Sequence, residues 1–153
     1  MLGELSLLAM ALTVASPCAG QTITDGDTLK QNGVTYRLWG IDAPEAKQVC
    51  PDGWPAGSLA ATRLKALTAG RSIVCQEKDR DRYGRTVAIC RVSGEDLGAI
   101  MVREGFAWAF TRYSVDYVDQ QEEARTANRG VHGHDCQPAW EWRAQQRSEK
   151  KLQ

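Results

Sequence analysis

Histidine is nearly absent from this chain of 153 residues: His132 and His134 are the only two. A mechanism built on a histidine general base therefore has little to draw on. Net charge is also missing, since nineteen Lys and Arg balance nineteen Asp and Glu. Loss of residues 1–20, whose single charge is Glu4, would leave +1, which is no electrostatic footprint for tight binding to a polyanion. There is no C-x-x-C pair, so a zinc or thioredoxin-like centre is disfavoured. Neither a G-x-S-x-G elbow nor a P-loop occurs. The apolar run Leu5–Ala15 is eleven residues, interrupted by Ser6 and Thr13, too short to span a bilayer. No repeat, low-complexity tract or linker divides the chain.

What is present describes one globular domain. Apolar residues at 42% and charged residues at 25% are ordinary values, and the length is enough to bury a core. Residues 1–20 are expected to be a signal peptide: the apolar run is followed by Ala15, Ser16, Ala19 and Gly20, although a basic segment before it is missing. Residues 21–142 are expected to form the domain, and residues 143–153 a polar, frayed or disordered tail beyond a docked Trp140 and Trp142. Apart from Cys18, four cysteines remain: Cys50, Cys75, Cys90 and Cys136. An even set in an exported domain favours disulfides, with about three connectivities open. Cys75 and Cys90 lie on consecutive strand-like runs, where facing positions come close enough for a bridge. Cys50–Cys136 would be the remainder, tying the loop after Glu45 to the tail.

Hydrophobic patterning supplies the element order. Leu29–Gln31 and Val34–Trp39 flank Asn32-Gly33, a strong hairpin signal. Pro55–Leu67 carries apolar residues at helical spacing and stops at Gly70. Ser72–Cys75 and Thr86–Val92 are β-rich, Asp96–Glu104 is a short helix, and Ser114–Arg129 a third. Strands, helix, strands, helix, helix fit a small β-barrel with helices packed outside, an α+β arrangement.

Three short motifs carry the chemistry. Asp25-Gly26-Asp27-Thr28 and Arg37-Leu38-Trp39-Gly40-Ile41-Asp42-Ala43-Pro44-Glu45 put four carboxylates and an arginine within 21 residues, and Asp81-Arg82-Tyr83-Gly84-Arg85 adds a second candidate arginine. Hard cations take oxygen ligands, and a phosphodiester transition state suits the planar fork of arginine. Taken singly, each motif reads as a turn or a solvated arginine. Taken in order and at this spacing, over roughly Thr22 to Gly130, they resemble the staphylococcal nuclease (thermonuclease) family in its secreted bacterial branch.

That resemblance implies a five-stranded OB-fold with about three helices. It implies calcium held by Asp27, Asp42 and the backbone carbonyl of Ala43, with Glu45 orienting or deprotonating the attacking water. Arg37 and Arg85 would clamp the phosphate, and Tyr83 and Tyr113 would pack against the nucleotide, while Thr111 replaces a tyrosine usual in the family. Asp25 would hold its own turn. The expected activity is calcium-dependent hydrolysis of DNA and RNA with little sequence preference, leaving 3′-phosphate ends, by a secreted or periplasmic monomer with no membrane span in the mature chain. The rivals are a non-catalytic binding module of the same fold and an accessory DNA-processing protein of a mobile element. A metal cluster at His132-Gly133-His134-Asp135-Cys136 is a further option, opposed by the tendency of exported cysteine to be oxidised.

Overall fold

The computed structural model describes residues 20–152, so the expected signal peptide lies outside the described residues except for Gly20. Three strands open the domain as an antiparallel meander: β1 (Thr22–Asp25), β2 (Thr28–Gln31) and β3 (Val34–Leu38). The β2–β3 turn is Asn32-Gly33, with φ of 51° and 79°. Both values lie in the left-handed region that a two-residue hairpin turn of this twist requires. Next come β4 (Ile41–Asp42), α1 (Ala56–Thr68), β5 (Ile73–Arg80), β6 (Thr86–Val92) and β7 (Glu95–Asp96). The chain ends with α2 (Leu97–Arg103), β8 (Trp108–Ala109), α3 (Val118–Thr126), a 3-10 turn at Gly130–His132 and α4 (Ala139–Lys151).

The main sheet runs β1-β2-β3-β6-β5, with β7 on β6, and β3 lies parallel to β6. A small second sheet pairs β4 with β8. The architecture is the α+β arrangement expected of an OB-fold, with more and shorter strands than five and with four α-helices. Among the described residues β1 and β5 remain the two ends of the pairing path, so the barrel is not closed by strand pairing. Glutamine side chains reach across instead: Gln31 donates to the Ile73 carbonyl at 3.4 Å and Gln21 to the Arg71 carbonyl at 2.7 Å.

Alternation on β6 shows how sequence becomes core. Thr86, Ala88, Cys90 and Val92 are buried while the residues between them are only partly covered, as a period of two demands. Against this face pack Leu29 and Leu38 from the meander, Ala60 and Leu64 from α1, and Leu97, Met101 and Val102 from α2. A second cluster joins Cys50, Ala56, Trp108, Val131, Cys136 and Ala139, with Trp54 and Trp140 against it. It lies under α4 and fastens that helix to the domain.

Two elements differ from the sequence expectation. The third helix begins at Val118, not Ser114, because its two capping candidates are engaged elsewhere. The Ser114 hydroxyl accepts from the Asp116 amide at 3.0 Å, and the Asp116 carboxylate accepts from the Trp39 indole at 2.9 Å. The expected frayed tail is instead the second half of α4, which is helical to Lys151. Its docked face consists of few residues: Ala139 is buried, and Trp140 sits 5.3 Å from Phe110 and edge-on to Trp108 at 6.2 Å. Composition hides such a narrow docking face.

Both expected disulfides form. Cys75 and Cys90 are direct partners in the β5–β6 register with Cα atoms 4.0 Å apart, and Cys50 and Cys136 have Cα atoms 4.7 Å apart. The second closes a span of 86 residues and roots α4 beside the loop that follows β4. Long closed loops stabilise most in the chain-entropy account, so Cys50→Ala with Cys136→Ala is expected to cost about 3–5 kcal/mol. Urea denaturation of the oxidised parent and the double variant measures this; coincident midpoints would contradict it.

Candidate active site

Every residue of the first two motifs meets at one end of the β1–β3 meander. The β1–β2 turn is held as expected by Asp25, whose Oδ1 accepts from the Asp27 amide at 3.1 Å. This turn delivers Asp27 inward. Gly26 permits the approach, since a Cβ there would stand 2.6 Å from the Ala60 Cβ of α1 and 2.8 Å from that of Ala43. Register then sets Arg37 of β3 opposite Thr28, one residue from Asp27. Asp42 ends β4, and Pro44 leads the chain out toward Glu45.

Arg37 is the centre of the resulting charge cluster. It donates from Nη1 to Asp27 Oδ1 at 2.6 Å and from Nη2 to Asp42 Oδ1 at 2.9 Å. The other Asp27 oxygen accepts from the Ala43 amide at 2.7 Å. Asp27 is 3% exposed and Asp42 is 0% exposed, so both carboxylates depend on fixed partners. Burial pushes the Asp27 carboxyl up to about 6, against the pull of Arg37. Burial also opposes the charge on Arg37, but Asp27 and Asp42 outweigh it and hold its pKa above the ordinary value.

A second arginine completes the cluster, and it comes from α4. Arg143 donates from Nη2 to Asp42 Oδ2 at 2.8 Å, and from Nη1 to Asp42 Oδ1 at 3.1 Å and Glu45 Oε1 at 2.7 Å. Despite its partial burial, these two carboxylates raise the Arg143 pKa. The sequence reading assigned this residue to a frayed tail. Its only sequence signal is its place three residues after Trp140, one helical turn from the docking aromatic.

The loop carrying Glu45 is fixed by a second residue that the sequence reading did not single out. Gln48 is 2% exposed and satisfies its amide in two directions: Oε1 accepts from the Glu45 amide at 3.2 Å, and Nε2 donates to the Gln137 carbonyl at 2.6 Å, just before α4. Its own amide donates to the Glu45 carbonyl at 2.7 Å. Below this loop lies Gly57 of α1, where a Cβ would meet that same carbonyl.

The third motif lines the same cleft, of about 1010 Å³, as Asp27, Arg37 and Glu45, and Arg85 directly precedes β6, the strand beside β3. Arg85 does not join the buried cluster. Its Nε donates to Asp81 Oδ2 at 2.6 Å within its own turn, and its guanidinium lies 5.5 Å from the Tyr83 ring centroid. Tyr83 and Tyr113 are 69% and 67% exposed, and both line the cleft. Tyr113 rests against Phe110 at 5.1 Å.

Donor chemistry at Asp27, Asp42 and the Ala43 carbonyl suits a hard cation, because every donor is oxygen. Two buried carboxylates, one of them difficult to ionise beside a single arginine, are an environment that additional positive charge would stabilise. Among the described residues no group of three His, Cys, Asp or Glu side chains converges to hold a metal alone, so backbone, water or substrate oxygen would fill the remaining positions. The histidine segment holds no such group either. Cys136 is in a disulfide, and His134 stacks on Trp54 at 4.5 Å and pairs with Asp52. His132 is partly buried, which lowers its pKa, and its Nε2 has no partner.

The chain is also similar to known proteins. Residues 35–132 match the family described as staphylococcal nuclease homologue. An uncharacterized endonuclease of Escherichia coli O157:H7 is 36% identical over 129 residues, covering 79% of this chain and 80% of that protein. The micrococcal nuclease of Shigella flexneri is 33% identical over 139 residues, covering 79% and 76%. An uncharacterized endonuclease of Haemophilus influenzae is 30% identical over 159 residues, covering 94% and 85%. The chain belongs to the staphylococcal nuclease family.

Proposed function

We propose that this nuclease is calcium-dependent, hydrolyses both DNA and RNA with little sequence preference, and leaves 3′-phosphate ends. Phosphodiester hydrolysis itself follows from the family. The observation that best supports the finer reading is the convergence of Asp27, Asp42 and Arg37 in one cluster beside a cleft that Glu45 and Arg85 also line.

In this reading Asp27, Asp42 and the Ala43 carbonyl hold calcium, which would neutralise and position the phosphate. Glu45 keeps Oε1 on Arg143, and among the described residues nothing donates to its Oε2, so that oxygen can accept from a water aimed at phosphorus. Arg37 and Arg85 donate to the phosphate oxygens, more strongly as charge accumulates on them. For Arg85 this means leaving Asp81, a partly exposed pairing within one turn, and such exchanges are inexpensive. The 5′-oxygen departs, which leaves the phosphate on the 3′ side. Tyr83 and Tyr113 offer faces on which any base can stack, which accounts for low sequence preference.

A secreted or periplasmic monomer is the matching setting. Two disulfides require an oxidising compartment, and among the described residues no helix is long and apolar enough to cross a membrane.

Cleavage of single-stranded DNA by the purified oxidised protein tests the reading. Calcium is expected to support turnover and chelator to abolish it. Glu45→Gln should lower kcat by about 10²-fold or more while retaining the melting temperature, and Arg85→Ala should lower it by about 10²–10³-fold. Wild-type rates from either variant would remove that residue from the site. Gly57→Ala gives an independent check on Glu45. The new Cβ would overlap the Glu45 carbonyl, and a displacement near 1 Å should cost about 10²-fold in turnover. An unchanged rate would show that the Glu45 loop need not sit where α1 holds it.

A further inference from the structure

We propose that Arg143 is a positioning residue of the nuclease site, acting through Glu45 and Asp42. The proposal rests on the reading of Glu45 and Asp42 given above and extends the site to a helix that begins after residue 132, where the family match ends.

The geometry is specific to a guanidinium. One edge of Arg143 takes both oxygens of Asp42, and Nη1 also reaches Glu45 Oε1. Asp42 and Glu45 are three residues apart on a loop turned by Pro44, and two carboxylates so placed repel each other. A planar fork bridging them sets their separation and orientation together. A point charge such as lysine could neutralise the pair without fixing the angle between its members. Among the described residues the bridge engages only Oε1 of Glu45, which lines the cleft, so the second oxygen is the one that the reading above gives to the attacking water.

Arg143 can do this because α4 is held at three points. The Cys50–Cys136 disulfide lies at its root, Gln48 binds the Gln137 carbonyl, and Trp140 packs on Trp108 and Phe110. Gln48 also binds the Glu45 amide, so backbone and side chain of Glu45 are both referenced to the same helix. Among the described residues Asp42 Oδ2 has no hydrogen-bond partner other than Arg143, while Oδ1 is held by Arg37 as well, and a buried carboxylate oxygen needs such a partner.

The test is a double-mutant cycle of Arg143→Gln with Glu45→Gln, read as kcat and KM on single-stranded DNA. Calorimetric calcium titration and melting temperature of each variant accompany it. Arg143→Gln is expected to lower kcat by about 10²-fold with KM within about threefold, and the double variant to be no slower than Glu45→Gln alone, because residues acting as a unit are not additive. Arg143→Lys should recover only part of the rate. Calcium should bind Arg143→Gln at least as tightly as the parent, since a competing positive charge has been removed. Lys150→Gln, the loss of a solvent-exposed charge on the same helix, controls for net charge.

Several outcomes overturn the proposal. They are a wild-type or faster kcat for Arg143→Gln, a loss confined to KM, additive losses in the double variant, or loss of calcium binding together with melting temperature. Failure of the underlying site reading looks different: Glu45→Gln itself would then turn over normally.

Discussion

A carboxylate with no access to water needs fixed donors or positive charge beside it, and Asp42 is that carboxylate here. It is completely buried, and burying an unpaired ion costs several kcal/mol even after relaxation. Asp42 is served by two arginines from opposite ends of the chain, Arg37 on β3 and Arg143 on α4. Each arginine in turn bridges to a second carboxylate, Asp27 and Glu45 respectively. The result is a line of alternating charge, Asp27–Arg37–Asp42–Arg143–Glu45, that can exist only if the meander, the β4 loop and the C-terminal helix all occupy their places. Removing one partner from a buried pair usually costs about 3–5 kcal/mol, mainly for the charge left behind. The buried part of the line, Asp27–Arg37–Asp42, therefore ties the site to the fold, whereas Arg143 and Glu45 at its far end are partly exposed.

Small residues make the line geometrically possible. Gly26 lets the Asp27 turn touch α1, and Gly57 lets α1 touch the backbone of Glu45. Both are close approaches of backbone to backbone or of backbone to a methyl group, where any side chain would intrude. Because α1 also presents Ala60 and Leu64 to the main core, the hydrophobic packing that stabilises the domain and the contacts that aim Asp27 and Glu45 belong to one helix. Precision at the site is thus borrowed from a core packed to near-crystalline density.

The sequence disclosed whatever depends on local order. The Asn32-Gly33 hairpin, the helix beginning near Ala56, the facing of Cys75 and Cys90 and the turn held by Asp25 each follow from residues close together in the chain. The motif spacing was enough to bring Asp27, Arg37, Asp42 and Glu45 together, because a hairpin register and one short strand separate them. Arg143 and Gln48 were not legible in this way. Arg143 meets Asp42 across 101 positions and Gln48 meets Gln137 across 89, and neither belongs to a motif. The helix that carries Arg143 is polar over most of its surface, so composition describes it as a solvated tail. The start of α3 was misplaced for a related reason: Asp116 has the right chemistry for a cap, but the indole of Trp39, 77 positions away, takes it first. Long-range pairing decides each of these cases, and a single sequence contains no term for it.

Electrostatics complete the argument. A chain of zero formal charge offers no broad field to draw in a polyanion, yet the cleft concentrates what charge there is. Seven arginines and no lysine line it, against five carboxylates. Arg147 follows Arg143 by one turn of α4, and Arg112 lies on the loop after β8; among the described residues neither has an ion-pair partner. Preference for guanidinium over ammonium fits a surface that must meet planar, multiply charged oxygens at short range rather than attract them from a distance. Local concentration also serves two demands. Arginines paired with Asp27, Asp42 and Glu45 order the carboxylates, and in the proposed reading Arg37 among them also meets the phosphate, together with Arg85 of the cleft wall.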